Sequence, residues 1–304
     1  MHPLVHALRY LLTLKDHIHY YNIGRNVLDE KTCILLRSQA ASSDLDLLVE
    51  GLPLTARDLF EALLEIYGPQ GWWPADSFDE LCLGAILVQN TSWNNATMAL
   101  SNLAEKGLLS LPSVASAQLC RLEEAVYPAG TYRRKAAIIW AFASDFTADF
   151  KTAESFRKEE PLSTRKWLLR RKGIGQESAD TILCYGAQVP FLVIDRYARR
   201  LVKRTGLIDE RISSYEAIRE CLQNDLPEDA QVLGEFHALV VMHGKSYCGK
   251  SPSCEACPLG TRCSFANSGD SSLSRRAMTS PFRETGRFPK RFYLEKDLEE
   301  DFLP

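Results

Sequence analysis

The sequence contains, at residues 168–180, the run Leu168-Leu169-Arg170-Arg171-Lys172-Gly173-Ile174-Gly175-Gln176-Glu177-Ser178-Ala179-Asp180. An apolar helix end leads into Gly173-Ile174-Gly175, and a second helix is predicted from Ser178. Glycines permit a tight turn and a close approach by another backbone, and the N–H groups at the start of a helix can receive a phosphate oxygen. This layout is typical of a helix–hairpin–helix DNA clamp. A plain tight turn between two helices would contain the same glycines.

Basic residues are concentrated around this run. The 304 residues carry a net charge of −3, which by itself does not suggest a nucleic-acid partner. Residues 165–204, however, contain ten Lys or Arg and three acids, a local balance of +7. Such a stretch can neutralise phosphates, although the charged face of a solvated helix would look the same.

Helical patterns extend over most of the chain. From Leu54 onward, short turns separate segments whose apolar residues recur at i, i+3 and i+4, as in Ala136, Ile139 and Trp140. Strand-like alternation flanked by hairpin turns does not accompany them, so the sequence predicts an all-α fold. The apolar runs are far too short to span a membrane, and residues 1–15 lack the features of a secretory signal. We therefore expect a cytoplasmic protein.

Four of the nine cysteines cluster near the end of the helical region, in the pattern Cys248-x5-Cys254-x2-Cys257-x5-Cys263. An odd total in a chain without a secretory signal argues against a disulfide framework and for a metal site. Four thiolates on a short loop can hold a 4Fe–4S cluster or a structural zinc ion. Because zinc sites usually use two close CxxC pairs, the wide–narrow–wide spacing favours the cluster.

An acidic residue ends an apolar run about twenty residues after the hairpin. The run is Phe191-Leu192-Val193-Ile194-Asp195-Arg196-Tyr197. A carboxylate in partly apolar surroundings is costly unless it is paired or functional. Asp195 is therefore a candidate catalytic residue, with a helix N-cap as the alternative.

The order and spacing of these motifs resemble the endonuclease III superfamily of DNA glycosylases over residues 54–265. The resemblance includes three further runs, Gln89-Asn90-Thr91, Gly130-Thr131-Tyr132-Arg133-Arg134-Lys135-Ala136 and His243-Gly244. It implies a monomeric, nucleoid-associated enzyme that acts on double-stranded DNA containing a damaged base and flips the damaged nucleotide out. It also implies that Asp195 is the catalytic carboxylate and that Gln89 fills the gap left in the base stack.

With this resemblance, two helical domains are predicted, with a DNA-binding cleft between them. A six-helix domain covers residues 79–189 and ends in the hairpin. An iron–sulfur domain is built from residues 54–78 together with 190–266. Residues 1–53 are a predicted helical extension of unknown role. Residues 267–304, rich in Ser, Arg, Pro and acids, are predicted to form a disordered tail.

Two departures from the family pattern refine the prediction. Bifunctional members carry a lysine in the motif Gly-x-Gly-x-Lys, and this lysine forms a Schiff base with the sugar. Here the position is Glu177, which implies a monofunctional glycosylase with water as the nucleophile. The first cysteine gap has five residues, one fewer than is usual in the family.

Within the superfamily, the run Gly71-Trp72-Trp73-Pro74 and residues 173–180 look most like the 3-methyladenine DNA glycosylase III branch, which removes alkylated purines. Such a base is cationic, and electron-rich aromatic faces select it by stacking and cation–π attraction. For each tryptophan, core packing is the alternative. The predicted pocket residues are Trp72, Trp73, Trp93, Glu177 and Lys245.

Two other functions stay open at this point. One is a glycosylase with AP lyase activity that acts on oxidised pyrimidines or mismatched bases. The other is a non-catalytic DNA-binding module that keeps the hairpin and the cluster. Asp195 argues against the second, because a pure binder has no use for a carboxylate that faces DNA phosphates.

Overall fold

The computed structural model describes residues 54–268. All regular secondary structure within this range is helical, which confirms the all-α prediction. None of the helices in this range is long and apolar enough to cross a membrane. The predicted extension at residues 1–53, and all but two residues of the predicted tail at 267–304, lie outside the described residues.

Short connections join the helices of the described range. A π-helical turn, Ile182–Ala187, directly continues α9, and three 3-10 turns lie at Tyr127–Ala129, Cys254–Ala256 and Gly260–Arg262. The α-helices are α1 Ala56–Tyr67, α2 Phe78–Leu87, α3 Trp93–Glu105, α4 Leu111–Ser116, α5 Leu119–Ala125, α6 Tyr132–Asp149, α7 Ala153–Arg157, α8 Pro161–Leu169, α9 Gln176–Thr181, α10 Arg196–Arg204, α11 Tyr215–Gln223, α12 Ala230–Ser246 and α13 Ser264–Asn267.

Polar side chains fix where several helices begin. The hydroxyl of Thr55 accepts the backbone N–H of Asp58, and the Asp58 carboxylate accepts the backbone N–H of Thr55, which forms a capping box at α1. Ser77, Ser92 and Thr152 cap α2, α3 and α7 through their hydroxyls. Each cap of this kind contributes about 1 kcal/mol, so these helix starts are determined locally.

Two apolar clusters form the interior of the described range. The first is built by residues between Phe78 and Phe191. The second is built by α1 together with residues 184–259. Tyr185 packs against both clusters. The clusters draw on largely the same segments that the sequence assigns to two domains, while the domain boundaries themselves stay a prediction.

The glycine run 173–175 forms a hairpin between α8 and α9. Gly173 has a φ of +87°, and a Cβ there would lie 2.5 Å from Cδ1 of Ile138, so this position requires glycine. Gly175 has an ordinary φ of −95° as the N-cap of α9, and a Cβ there would meet no atom within 4 Å. The prediction that the second helix starts at Ser178 was wrong by two residues, because the chain becomes helical directly after Gly175.

A buried ion pair joins α8 to α9. The fully buried carboxylate of Asp180 accepts Nε of Arg165 at 2.6 Å and Nη2 at 3.0 Å. Nη2 of Arg165 also donates to Oε1 of Glu216 on α11 at 2.7 Å. Burial raises the pKa of Asp180, and the hydrogen bonds and charge of Arg165 oppose that shift. This pair therefore fixes both hairpin helices relative to α11.

We expect Arg165→Met to lower the free energy of unfolding by about 3–5 kcal/mol, because the Asp180 carboxylate stays buried without its cation. Urea denaturation measures the loss. Lys158→Met is the matched control, since Lys158 pairs with Glu154 while their side chains are 73% and 75% exposed. That exposed pair should contribute less than about 1 kcal/mol. Equal losses in the two variants would contradict the importance assigned to the buried pair.

Candidate active site

Asp195 lies at the start of α10, directly after the buried run 191–194. Its Oδ1 accepts the N–H of Ala198 at 2.8 Å, so the residue is a helix N-cap. Its Oδ2 lies 3.9 Å from Nε2 of His237, and the side chain is 11% exposed. The two interpretations of Asp195 are therefore compatible, because one oxygen caps the helix while the other faces the site. Its catalytic role stays a prediction.

Two side chains of α11 hold the extended run that leads to Asp195. The N–H of Leu192 donates to Oε1 of Gln223 at 3.0 Å, and the N–H of Ile194 donates to the Tyr215 hydroxyl at 3.2 Å. Tyr215 is in turn hydrogen-bonded to Asp180 of the buried ion pair. These bonds satisfy buried backbone groups, and they connect the position of Asp195 to the hairpin helices.

His237 and Tyr185 are absent from the residues predicted for the site. His237 is 5% exposed on α12, and its Nδ1 lies 2.7 Å from the Tyr185 hydroxyl. That hydroxyl also donates to the carbonyl oxygen of Gly234 at 2.7 Å. A Cβ at Gly234 would lie 2.8 Å from the Tyr185 ring, so this glycine admits the ring. The only sequence signal, a glycine three residues before a histidine, is too common to identify such a site.

The three predicted pocket tryptophans lie together beside His237. Ring centroids are 6.1 Å apart for Trp72 and Trp73, 5.1 Å for Trp73 and Trp93, and 5.9 Å for Trp72 and His237. All three tryptophans are half-buried. Trp73 packs against the first apolar cluster, so the alternative of core packing applies to it in part. Trp72 belongs to neither apolar cluster and contacts the His237 ring instead.

Glu177 and Lys245 come within electrostatic range of Asp195 from two helices. Glu177 lies in the first turn of α9, and the residue as a whole is exposed. Desolvation of its carboxyl group and the charge of Asp195 raise the pKa of Glu177. Burial lowers the pKa of Lys245, and Asp195 opposes that shift. Both predicted pocket residues are therefore near the Asp195 carboxylate.

Gln89 follows the end of α2 and contacts the hairpin. Its Nε2 donates to the carbonyl oxygen of Gly173 at 3.0 Å and to Oγ of Ser178 at 2.9 Å. The side chain is half-buried. The predicted role of Gln89 in the base stack would require these two bonds to be exchanged for contacts with DNA, and it stays a prediction.

Part of the basic charge around the hairpin is engaged within the protein. Arg200 Nε donates to the carbonyl oxygen of Cys248 at 2.7 Å, and Arg204 Nη1 donates to that of Gly249 at 2.7 Å. These arginines support the cysteine loop, so the surface available to phosphates is narrower than the local charge balance suggests. Exposed cations lie on the hairpin and at the start of α10 at Arg170, Lys172 and Arg196.

The four cysteines of the predicted cluster line one pocket. Nη1 of Arg204 lies 3.3 Å from Sγ of Cys248, and Nε2 of His243 lies 3.5 Å from Sγ of Cys257. Among residues 54–268, no three His, Cys, Asp or Glu side chains come close enough together to share a single metal ion. The four thiols therefore face a common space, and the cofactor that they hold stays a prediction.

Comparison with known proteins identifies the family. Residues 83–228 match the HhH-GPD superfamily of base excision DNA repair proteins. A putative DNA repair glycosylase of Methanocaldococcus jannaschii is 36% identical over 207 residues, which cover 67% of this chain and 94% of the relative. The chain belongs to the HhH-GPD superfamily. It is therefore a DNA glycosylase of base excision repair, as the resemblance to the endonuclease III superfamily predicts.

Solved structures share the fold of this glycosylase. The H. pylori 3-methyladenine DNA glycosylase bound to 1,N6-ethenoadenine has a TM-score of 0.57 and 29% identity, covering 63% of this chain and 98% of that one. A non-covalent endonuclease III–DNA complex has a TM-score of 0.61 and 19% identity, covering 71% and 98%. At that lower identity, the second comparison establishes the shared fold alone.

Two alanine substitutions separate the fold of the hairpin from its contact with DNA. Gly173→Ala should lower stability by about 1–3 kcal/mol through strain at positive φ and the clash with Ile138. Gly175→Ala adds a methyl group into open space, so stability should fall by less than about 1 kcal/mol, the difference between glycine and alanine at a helix N-cap. Affinity for any duplex should nevertheless fall about tenfold, because the methyl group blocks a close phosphate contact.

Urea denaturation and fluorescence anisotropy at matched salt measure the two effects of these substitutions. Wild-type DNA affinity in Gly175→Ala would contradict a phosphate contact at the hairpin.

Proposed function

We propose that this glycosylase is monofunctional and hydrolyses the N-glycosidic bond of an alkylated purine such as 3-methyladenine. The observation that carries the proposal is that a carboxylate, Glu177, lies within electrostatic range of Asp195 at the hairpin. A carboxylate cannot form a Schiff base with the sugar, so water is the nucleophile. The H. pylori relative, named a 3-methyladenine DNA glycosylase, supports the substrate class.

Aromatic and acidic groups together favour a positively charged base. Trp72 and Trp93 are half-buried, so part of each ring is accessible for stacking, and cation–π attraction to a desolvated cation is worth about 2 kcal/mol. The carboxylate of Asp195 adds negative charge on this side of the site, because its Oδ2 lies 3.9 Å from Nε2 of His237, whose ring Trp72 contacts. A neutral purine gains less binding free energy from the aromatic rings and from the negative charge, so an alkylated purine is selected over the undamaged base.

Asp195 acts on the sugar side of the reaction. Once the nucleotide is flipped out of the duplex, Oδ2 faces the positive charge that develops on the sugar as its bond to the base breaks. The bonding electrons leave with the base and neutralise its positive ring. Water adds to the sugar C1′ and loses one proton, which leaves an intact abasic site. The N-cap bond from Ala198 to Oδ1 keeps the carboxylate oriented throughout.

DNA contacts follow from the hairpin and its neighbours. The open space beside Gly175 admits a phosphate, and the exposed side chains of Lys172 and Arg196 add positive charge at either end of this surface. Gln89 leaves its bonds to the hairpin and fills the gap in the base stack. A monomer contains all of these elements, so one chain binds the damaged duplex.

A glycosylase with AP lyase activity on oxidised pyrimidines or mismatched bases is the second candidate, and one observation favours it. Desolvation lowers the pKa of Lys245, and a lysine near Asp195 is able to attack the sugar once it has lost its proton. The non-catalytic module is disfavoured, because the family consists of base excision repair proteins.

We also propose that Cys248, Cys254, Cys257 and Cys263 hold a 4Fe–4S cluster. Four thiolates would hold such a cluster, and the four sulfurs here line one pocket. The wide–narrow–wide spacing of the cysteines favours the cluster over a structural zinc ion, which usually uses two close CxxC pairs. The nearby Arg204 would stabilise thiolate charge. When bound, the cluster supplies a rigid core for this loop and takes no part in breaking the base–sugar bond.

Duplexes that carry single known lesions test the reaction. We expect release of 3-methyladenine, identified by mass spectrometry, and no release of oxidised pyrimidines. Asp195→Asn keeps the N-cap but loses the negative charge, so release should slow by at least about a hundredfold. Borohydride should trap no covalent complex, because no imine forms. Full activity of the Asn variant would mean that Asp195 is only a helix cap.

Two variants make the trapping result interpretable. Glu177→Lys restores an amine at the hairpin and is the positive control for trapping. Lys245→Met tests the second candidate, because trapping by the wild-type protein that disappears in this variant would assign a lyase activity to Lys245.

The purified protein should contain about four irons and a similar amount of acid-labile sulfide per chain, and it should be brown. Cys257→Ser should lose the iron and part of the DNA affinity, because the loop no longer folds around its core. Cys120→Ser, at an exposed cysteine outside the pocket, is the matched control and should keep both. One stoichiometric zinc in a colourless protein would refute the cluster.

A further inference from the structure

We propose that His237 and Asp195 together hold the attacking water, and that Nε2 of His237 accepts the proton which this water loses. The inference rests on the proposed hydrolytic function and assigns a residue to its least defined step. Three features of the structure carry it: the tautomer of His237, the space between His237 and Asp195, and the charge that Asp195 must keep.

The hydrogen bonds of Tyr185 fix the tautomer of His237. A tyrosine hydroxyl has one proton, and here it is donated to the carbonyl oxygen of Gly234, which can only accept. The 2.7 Å contact between the same hydroxyl and Nδ1 of His237 therefore has Nδ1–H as the donor. In the neutral imidazole, Nε2 is then a bare acceptor.

This acceptor faces a second acceptor across a gap. Nε2 of His237 lies 3.9 Å from Oδ2 of Asp195, too far for a direct hydrogen bond. A water that donates one hydrogen to each atom at about 2.8 Å fits this separation, with an angle of about 90° at its oxygen. Its lone pairs then point away from both groups, as a nucleophile requires.

Asp195 cannot serve both roles that hydrolysis demands. Its negative charge must persist while the sugar becomes positive, and accepting the proton of the water would remove that charge. His237 resolves the conflict. As the C1′–O bond forms and the C1′–N bond breaks towards the base, the proton moves from the water to Nε2, and the resulting imidazolium lies beside the Asp195 carboxylate. Solvent takes the proton after the product leaves.

The surroundings keep His237 neutral before the reaction. Burial lowers its pKa below the ordinary 6.5, the charge of Lys245 lowers it further, and Asp195 acts in the opposite direction. Tyr185 contributes a neutral hydroxyl, because burial also raises its pKa, and Glu177 acts on the site through its repulsion with Asp195. Nε2 is therefore available near neutral pH and is lost as an acceptor when the pH falls through the lowered pKa.

Single-turnover release of 3-methyladenine by His237→Gln tests the proposal. The amide oxygen is able to hold the water but not to take its proton, so the rate should fall by about a hundredfold. DNA affinity and the urea midpoint should stay close to those of the wild type. The wild-type rate should decline towards acid pH, and the part of that decline due to His237 should be absent from the variant. Imidazole should partly restore the rate of His237→Ala.

A wild-type rate in His237→Gln, or an unchanged pH profile, would show that His237 is only a structural residue. Failure of the wild-type protein to release alkylated purines, or full activity of Asp195→Asn, would instead overturn the proposed function. Nitrogen-15 NMR of the wild-type protein is independent of the lesion. It should show His237 protonated at Nδ1 with Nε2 bare, and the opposite tautomer would refute the role assigned to His237 for any substrate.

Discussion

The arrangement of the candidate site depends on the ion pair between Arg165 and Asp180. Two hydrogen bonds join the guanidinium of α8 to the buried carboxylate of α9, and a third joins the same guanidinium to Glu216 of α11. Tyr215 of α11 is bonded to Asp180 and accepts the N–H of Ile194. The residue after Ile194 is Asp195. One ion pair thus fixes the hairpin and the proposed catalytic carboxylate relative to each other.

Burying an ion pair in this position costs free energy, so its geometry must show which interactions offset that cost. Removing two charges from water costs several kcal/mol per ion, and the mutual attraction offsets this only with good geometry and further hydrogen bonds. Here the carboxylate and guanidinium meet through two bonds, and Tyr215 and Glu216 provide the others. An apolar replacement of similar shape would retain packing but not these directional bonds. The pair therefore contributes to the placement of the hairpin relative to Asp195 more than to stability alone.

Local patterns predicted features that lie within one segment. Two glycines lie between the hairpin helices and Asp195 follows a buried run, as predicted, although the second hairpin helix starts at Gln176 rather than at Ser178. The functional roles of these residues stay predictions. Contacts between distant segments have no such signal. Tyr185 and His237 are 52 residues apart, and Arg165 and Glu216 are 51 apart, so these pairings appear only in the folded chain.

The charge count illustrates the same limit of prediction from sequence. A local balance of +7 over residues 165–204 predicts a phosphate-binding surface, but a sequence does not reveal which cations turn inward. Arg165 is committed to Asp180, and Arg200 and Arg204 bind carbonyl oxygens of the cysteine loop. Guanidinium groups suit these tasks because their forked donors satisfy several acceptors at once. Among the cations of this stretch that stay exposed are Arg170, Lys172 and Arg196, which are therefore the candidates to attract DNA.

The carboxylate at position 177 links the chemistry to the choice of substrate. A lysine there would bring an amine to the sugar, but it would also repel a cationic base. Glu177 has no amine that could attack the sugar. Desolvation and the charge of Asp195 raise its pKa, and an approaching cation would favour the ionised form. Under the proposed function, a residue that cannot form a Schiff base would also favour a positively charged base. The bond between such a base and the sugar is already weak, so the base can leave while Asp195 stabilises the charge that develops on the sugar.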